Sequence, residues 1–289
     1  MNRKFKKNIR TGKMPVTMLI IFLALLCAFM VYLVIKNEET SIAMDTEAED
    51  VSKQAEEYDY DVRSISRGGL GDEVLEEEEE DKYNLSKEEK ESISEAVHND
   101  KSGLFKLVNK DNPLSQDYIP QDLTVPGVRL QSDPGNEQMQ LRKPAVKSLE
   151  ELFADAQKNG LDLYLNSGFR GYQLQTYLYN RDLQQNGGKS SNYVAKEGVS
   201  EHQLGLAVDI TCKNVGFQLI EDFQNTAEGK WLMNNAYKYG FILRYGRDKE
   251  QVTGYKYEPW HYRYIGNREI SRICHEKNLT LEEILEEVK

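Results

Sequence analysis

Residues 15 to 35, PVTMLIIFLALLCAFMVYLVI, run for 21 residues without a charge. As a helix rising 1.5 Å per residue, such a run spans roughly 30 Å, the thickness of a bilayer's hydrocarbon core. This stretch cannot be part of a water-facing fold, so it separates the chain into two sides. The first 13 residues carry six basic residues and no acidic one. By the positive-inside rule the N-terminus is cytoplasmic and everything after residue 36 lies outside. A cleaved signal peptide is the alternative, with Ser41 and Ala43 as a weak cleavage site. The run exceeds the usual apolar core of a signal peptide, which favours an uncleaved anchor. Cys27 follows Leu26 rather than a small residue, which argues against a lipid-bearing cysteine.

The charge is unevenly spread. Residues 36 to 100 hold 23 acidic and seven basic residues, a net of −16 where the whole chain has −11, and residues 101–289 are close to neutral. Its run EVLEEEEEDK repels itself and buries nothing. The chain therefore divides into a basic cytoplasmic tail (1–13), a transmembrane anchor (14–35), an acidic disordered tether (36–100) and a folded domain (101–289). Within the tether, SKEE (Ser86 to Glu89) has the pattern of a capping box for a short helix reaching Val97. A near-neutral domain has no electrostatic footprint for nucleic acid. Cys212 and Cys274 lie in an oxidising compartment by this reading and could pair, but nothing in their spacing brings them together.

The domain alternates helical and extended patterns. Residues 138–159 read as a helix with Leu149, Leu152, Phe153 and Ala156 on one face and Gly160 as its stop. LDLYLNS reads as a strand and GYQLQTYLYNRDLQQN as a helix. LGLAVDI is a short strand, EGKWLMNNAYKYG a helix, and FILRY and EPWHYRYIG are strands before short terminal helices. Helices come first and strands cluster late with short connections, which predicts an α+β fold with a mainly antiparallel sheet flanked by helices.

Four residues could carry chemistry. SEHQLGLAVDI places His202 seven residues before Asp209, and EPWH places Glu258 three before His261. Two imidazoles and one carboxylate make a zinc set with a position left for water, and the remaining carboxylate could serve as general base. In a regular strand, residues at odd separations face opposite sides. His202 and Asp209 could meet only through an irregular approach, which Gly205 permits, and Glu258 with His261 only if Pro259 breaks the strand. Spacing permits this site without deciding which carboxylate does which work. His98, in the charged segment, and His275, on a polar terminal helix, read as surface residues. In LNSGFRGYQLQ, Arg170 stands at a strand-to-helix turn and Gln175 on the helix that follows, and the two could face one pocket. A guanidinium there is suited to holding a carboxylate through two parallel hydrogen bonds.

SGFRGYQLQ, SEHQLGLAVDI and YEPWHYRYIG, in this order, resemble the signature blocks of VanY-type D-alanyl-D-alanine carboxypeptidases. That zinc peptidase family also includes L,D-carboxypeptidases that trim the wall tetrapeptide. The resemblance covers about residues 104 to 275, including LVNKDNPL and KWLMNNAYKYGFILRYG. It implies a hedgehog/D,D-peptidase-like zinc fold, Zn2+ on His202, Asp209 and His261, and Glu258 as catalytic base. It also places Arg170, Gln175 and Ser200 against the substrate. The implied activity removes the terminal D-alanine from the peptidoglycan stem pentapeptide, outside a cell membrane crossed once by the anchor. L,D-trimming of the tetrapeptide and a non-catalytic zinc module that binds wall peptides are the competing readings; a retained Glu258 argues against the last. Trp260 is expected beside the metal or in the core, and Tyr255 and Tyr257 could line the cleft. The chain departs from the family pattern at Glu197-Gly198, Gly171 and Gly246, all in loops, and keeps every implied ligand.

Overall fold

The structure is a computed structural model, and it describes residues 82–288. The predicted anchor, the basic tail and most of the acidic segment lie outside these residues. Among the described residues no helix is long and apolar enough to cross a membrane.

The first element is helix α1 (Lys87–His98), begun by the predicted capping box: Ser86 accepts from the Glu89 amide while Glu89 reaches back to the Ser86 amide. A two-stranded antiparallel ribbon, β1 (Leu123–Thr124) with β2 (Leu141–Arg142), leads into α2 (Lys143–Lys158). Strand β3 (Leu163–Ser167), helix α3 (Tyr172–Gln185), strand β4 (Ala207–Cys212) and helix α4 (Ala227–Asn235) follow. The chain ends with β5 (Phe241–Leu243), α5 (Glu250–Thr253), β6 (His261–Tyr264), α6 (Arg268–Glu276) and α7 (Leu281–Glu286). The four longer strands form one antiparallel sheet in the order β3-β4-β6-β5. The expected mixed fold, with an antiparallel sheet flanked by helices, is what forms.

The sheet has two faces because strand side chains alternate. Val208 and Ile210 of β4 join Phe241, Tyr262 and Tyr264 in a core closed by the apolar stripe of α2 (Ala145, Leu149, Leu152, Phe153 and Ala156) and by Leu232 of α4. The residues between them face the other way. Register sets Ser167 against Asp209 and Asp209 against His261, a row across three strands.

Several elements are shorter than their patterns. The predicted helix at 138–159 starts only at Lys143, with Pro144 in its first turn; before it come a 3-10 turn (Glu137–Met139) and β2, whose Arg142 amide donates to the Gly205 carbonyl. LGLAVDI enters its strand only at Ala207, because Glu201–Leu204 winds into a 3-10 turn that ends on Gly205 at φ 67°. EPWHYRYIG becomes a strand only at His261, after a turn closed by the His261 amide on the Glu258 carbonyl.

One boundary is corrected. The acidic tether was expected to reach residue 100, yet Leu85 and Ile93 are buried in a second apolar cluster with Ile270, Ile273, Leu281 and Ile284. Helix α1 packs on α6, so the fold begins ahead of residue 101. The reason is Ile93, whose side chain has no exposed surface and whose full burial contributes roughly 1.5–3 kcal/mol. Cys212 lies in the first cluster and Cys274 in the second, both as buried free thiols.

Candidate metal centre

The irregularities of the strands build the site. Because Gly205 takes the left-handed region, the 3-10 turn before it folds back over the sheet, and His202 comes down beside Asp209. A side chain at Gly205 would also meet Leu123 Cδ2 at 2.9 Å. Because the Glu258–His261 turn precedes β6, Glu258 stands over the same face that His261 presents from the strand. The parity problem in the sequence is thus solved at both places by a turn.

His202, Asp209 and His261, all buried, bring one ligand atom each to within 4.8 Å of one another. His202 Nε2 is 3.2 Å from Asp209 Oδ2, and His261 Nδ1 is 3.0 Å from Asp209 Oδ1. The rings stand edge to face with centroids 4.9 Å apart. His202 Nδ1 lies 2.6 Å from the carbonyl of Gly168, which can only accept, so the proton is on Nδ1 and the Nε2 lone pair faces the centre. His202 Nε2 is buried without a hydrogen-bond partner. An orphaned imidazole lone pair beside a carboxylate and a second imidazole has the donor set of a zinc site, and the three residues fit such an ion.

Burial and neighbouring charges shift the protonation of these groups. Burial works against a charge on His261, but the facing carboxylates of Asp209 and Glu201 outweigh it and lift its pKa to about 9. Burial, aided by the neighbouring Arg170 charge, lowers His202 to about 4. Burial raises Glu258 to about 8, and the Asp209 charge adds to the effect. Burial also opposes a charge on Asp209, yet the two histidines hold its carboxyl far below the usual range.

Glu258 Oε2 is 3.8 Å from His261 Nδ1, and its Oε1 is buried without a partner. The Arg170 amide donates to the His202 carbonyl, which fixes the start of its side chain; Nη2 ends 3.7 Å from Asp209 Oδ2 and Nε has no partner. Both residues stand where two cavities meet. One, of about 20 Å³, is lined by Arg170, Ser200, His202, Tyr255, Glu258 and His261 among others. The other, of about 450 Å³, is lined by Arg170, Asp182, Tyr193, Glu221, Glu258 and Trp260 among others. A narrow recess and a wide bay thus share a carboxylate, a guanidinium and the edge of the metal-ligand cluster.

Of the residues expected here, His202, Asp209, His261, Glu258, Arg170 and Ser200 come together. Gln175 is buried one layer back: its Nε2 donates to the carbonyl of Ala195 at 2.6 Å, so it braces a wall of the recess. Tyr255 lines the recess, whereas Tyr257 carries the Arg247 guanidinium on its ring at 4.4 Å. Trp260 answers to both expectations, buried in the core and lining the bay. His98 and His275 are exposed, His275 stacked on Tyr237 at 4.4 Å. Sequence reading passed over Tyr245, whose ring lies 4.8 Å from that of His261, and Glu201 with its partners Arg244 and Arg263. An acidic residue beside His202 was a visible signal; its pairing with arginines some 40 and 60 residues away was not.

Residues 138–267 match the family VanY, D-alanyl-D-alanine carboxypeptidase. The chain is 42% identical over 187 residues to a putative carboxypeptidase, YodJ, of Bacillus subtilis, covering 64% of this chain and 68% of that protein. It is 34% identical over 192 residues to a D-alanyl-D-alanine carboxypeptidase of Enterococcus faecium, where 65% of this chain covers 59% of the relative. Among solved structures it resembles the LdcB LD-carboxypeptidase with a TM-score of 0.59 and 42% identity, covering 63% of this chain and 86% of that one. It also resembles a variant of VanY, a D,D-pentapeptidase of a VanB-type vancomycin resistance cassette, in complex with Zn(II), with a TM-score of 0.51, 31% identity and coverage of 63% and 98%. By sequence and by fold, this chain belongs to the VanY family of D-alanyl-D-alanine carboxypeptidases.

Proposed function

We propose that this protein is a zinc carboxypeptidase that removes the terminal D-alanine from peptidoglycan stem peptides, with its domain held outside the cell membrane by residues 14–35. The observation that carries the reading is the convergence of His202 Nε2, Asp209 and His261 Nδ1 beside Glu258, at the junction of a recess of about 20 Å³ and a bay of about 450 Å³. The bay suits the peptide, and the recess beside Arg170 has room for about one water molecule. Arg170, with donors to spare, pairs with the free carboxylate of the terminal residue and sets the register. Ser200, in the same recess, offers a hydroxyl to the peptide backbone. Gln175 holds Ala195 in place and so keeps the recess small. When bound, zinc supplies Lewis-acid polarisation of the scissile carbonyl and makes water acidic near neutral pH. Glu258, buried beside the three ligands, takes the proton of the attacking water and hands it to the leaving amine.

A second reading is L,D-cleavage of the tetrapeptide, favoured by the likeness to LdcB, an LD-carboxypeptidase. Full-length zinc-loaded protein offered pentapeptide and tetrapeptide stems separately, with products read by mass, distinguishes them. Loss of one alanine from the pentapeptide alone, abolished by chelator, supports D,D-activity. Loss from the tetrapeptide moves the assignment to L,D-activity, and cleavage of neither by the folded, zinc-bound protein defeats both. The anchor is tested by fractionation: the intact chain should stay with membranes after a high-salt wash, and deletion of residues 14–35 should release it.

A further inference from the structure

Glu201 has no part in the chemistry above, yet it is a fully buried carboxylate against the centre. Its Oε1 accepts from Arg244 Nε at 2.8 Å and from Arg263 Nη1 at 2.7 Å. Arg263 is itself fixed by Nη2 donating to the carbonyls of Leu104 and Lys106 at 2.7 and 2.9 Å. Arg244 is fixed by Nη1 and Nη2 donating to the two carboxylate oxygens of Glu282 on α7, at 2.8 and 2.6 Å. One oxygen of Glu201 is therefore committed and the carboxylate plane held. The other, Oε2, is buried without a hydrogen-bond partner and stands 3.8 Å from His261 Nε2, which is also buried and unpartnered. Two facing orphan groups, an acceptor and a ring nitrogen, are costly to bury unless they serve one another.

The orientation of His261 says how they do. Its Nδ1 faces Asp209. A neutral imidazole that offers its Nδ1 lone pair carries its proton on Nε2, and that proton points at Glu201. We propose that Glu201 is the positioning residue of the metal centre: it accepts the Nε2–H of His261, fixes the ring in the tautomer whose Nδ1 lone pair is free for a metal shared with Asp209, and so sets metal affinity. The inference rests on the reading of His261 as a metal ligand. It makes the two histidines unequal. His202 is oriented by a neutral backbone carbonyl, whereas His261 is oriented by a carboxylate, which raises its basicity as a ligand. It also gives Glu282 a function, since Glu282 holds Arg244, which holds Glu201.

The test is the zinc dissociation constant of the full-length protein, measured by competition with a chromophoric chelator. If the wild type fails to bind zinc, the metal-centre reading itself is wrong, and Glu201 with it. If the wild type binds, Glu201→Gln is expected to weaken binding roughly 10–100-fold, the usual effect of losing such a partner. The amide oxygen would stay with the arginines and its NH2 would turn a donor toward the Nε2–H. Unchanged affinity in the folded variant overturns the proposal and leaves the metal centre standing. Glu282→Gln, changed at the partly exposed end of the chain of contacts, is expected to weaken binding by a smaller factor. Imidazole nitrogen shifts in the zinc-loaded wild type need no variant: His261 should show Nδ1 metal-bound and Nε2 protonated, and the reverse assignment overturns the proposal.

Discussion

At the scale of single residues, the proposed function divides the site into metal ligands and residues that handle the peptide, and substitutions should separate the two. Glu258→Ala is expected to lose nearly all turnover while still binding zinc; an active variant would remove Glu258 from the mechanism. Arg170→Ala is expected to raise KM for peptides with a free terminal carboxylate far more than for the same peptides amidated at that end, and equal effects on both would end the clamp assignment. The protons of the metal-free centre give a third expectation. Glu258, raised from an ordinary 4.5 to about 8, and His261, raised from 6.5 to about 9, bind protons more tightly folded than unfolded. Their contribution to stability is present at low pH and lost as pH rises to those values. His202, lowered from 6.5 to about 4, contributes above 6.5 and loses that contribution as pH falls. In chelator, the melting temperature should therefore fall between pH 6.5 and 9, and Glu258→Gln should flatten the fall; identical slopes would rule Glu258 out as its source. The residues of the centre were legible in the sequence because two histidines and two carboxylates stand in short blocks that resemble the family's signatures; their spacing alone only permitted the site. Glu201 was not, because a buried ion network is made by contacts between distant segments and leaves no local pattern.

At the scale of elements, the places where pattern and structure part are the places that make the site. The periodicity of LGLAVDI and EPWHYRYIG predicts two longer strands, and it identifies their sheet and its core face. What it could not reveal is that each gives up its first residues to a turn, since a turn's register depends on what packs against it. Gly205 shows the cost: at φ 67° a side chain would be strained, and its Cβ, 2.9 Å from Leu123 Cδ2, would push that leucine aside. Gly205→Ala is expected to destabilise the fold by about 1–3 kcal/mol and to weaken zinc binding as well, because the turn it ends carries His202. A urea titration beside the chelator competition checks both; a variant that lost stability with zinc affinity intact would separate the turn from the centre.

At the scale of the whole molecule, the described chain has two apolar clusters, one beneath the sheet's non-catalytic face and one joining α1 to α6 and α7. The charge of residues 36–100 concealed the second, since a single buried isoleucine among acidic neighbours carries little weight in composition. Ile93→Ala is expected to cost about 2–5 kcal/mol, measurable as a lower melting temperature, and truncation at residue 101 should cost more. A truncated domain as stable as the full chain would restore residue 100 as the boundary. The packing of α1 on α6 also has a mechanical meaning. Tension arriving along the chain from its N-terminal side enters the fold at α1 and pulls on Leu85 and Ile93, which are seated against Ile270 and Ile273. That seam comes ahead of the row of Ser167, Asp209 and His261 along the chain, so a pull from that side meets apolar packing before it meets the site.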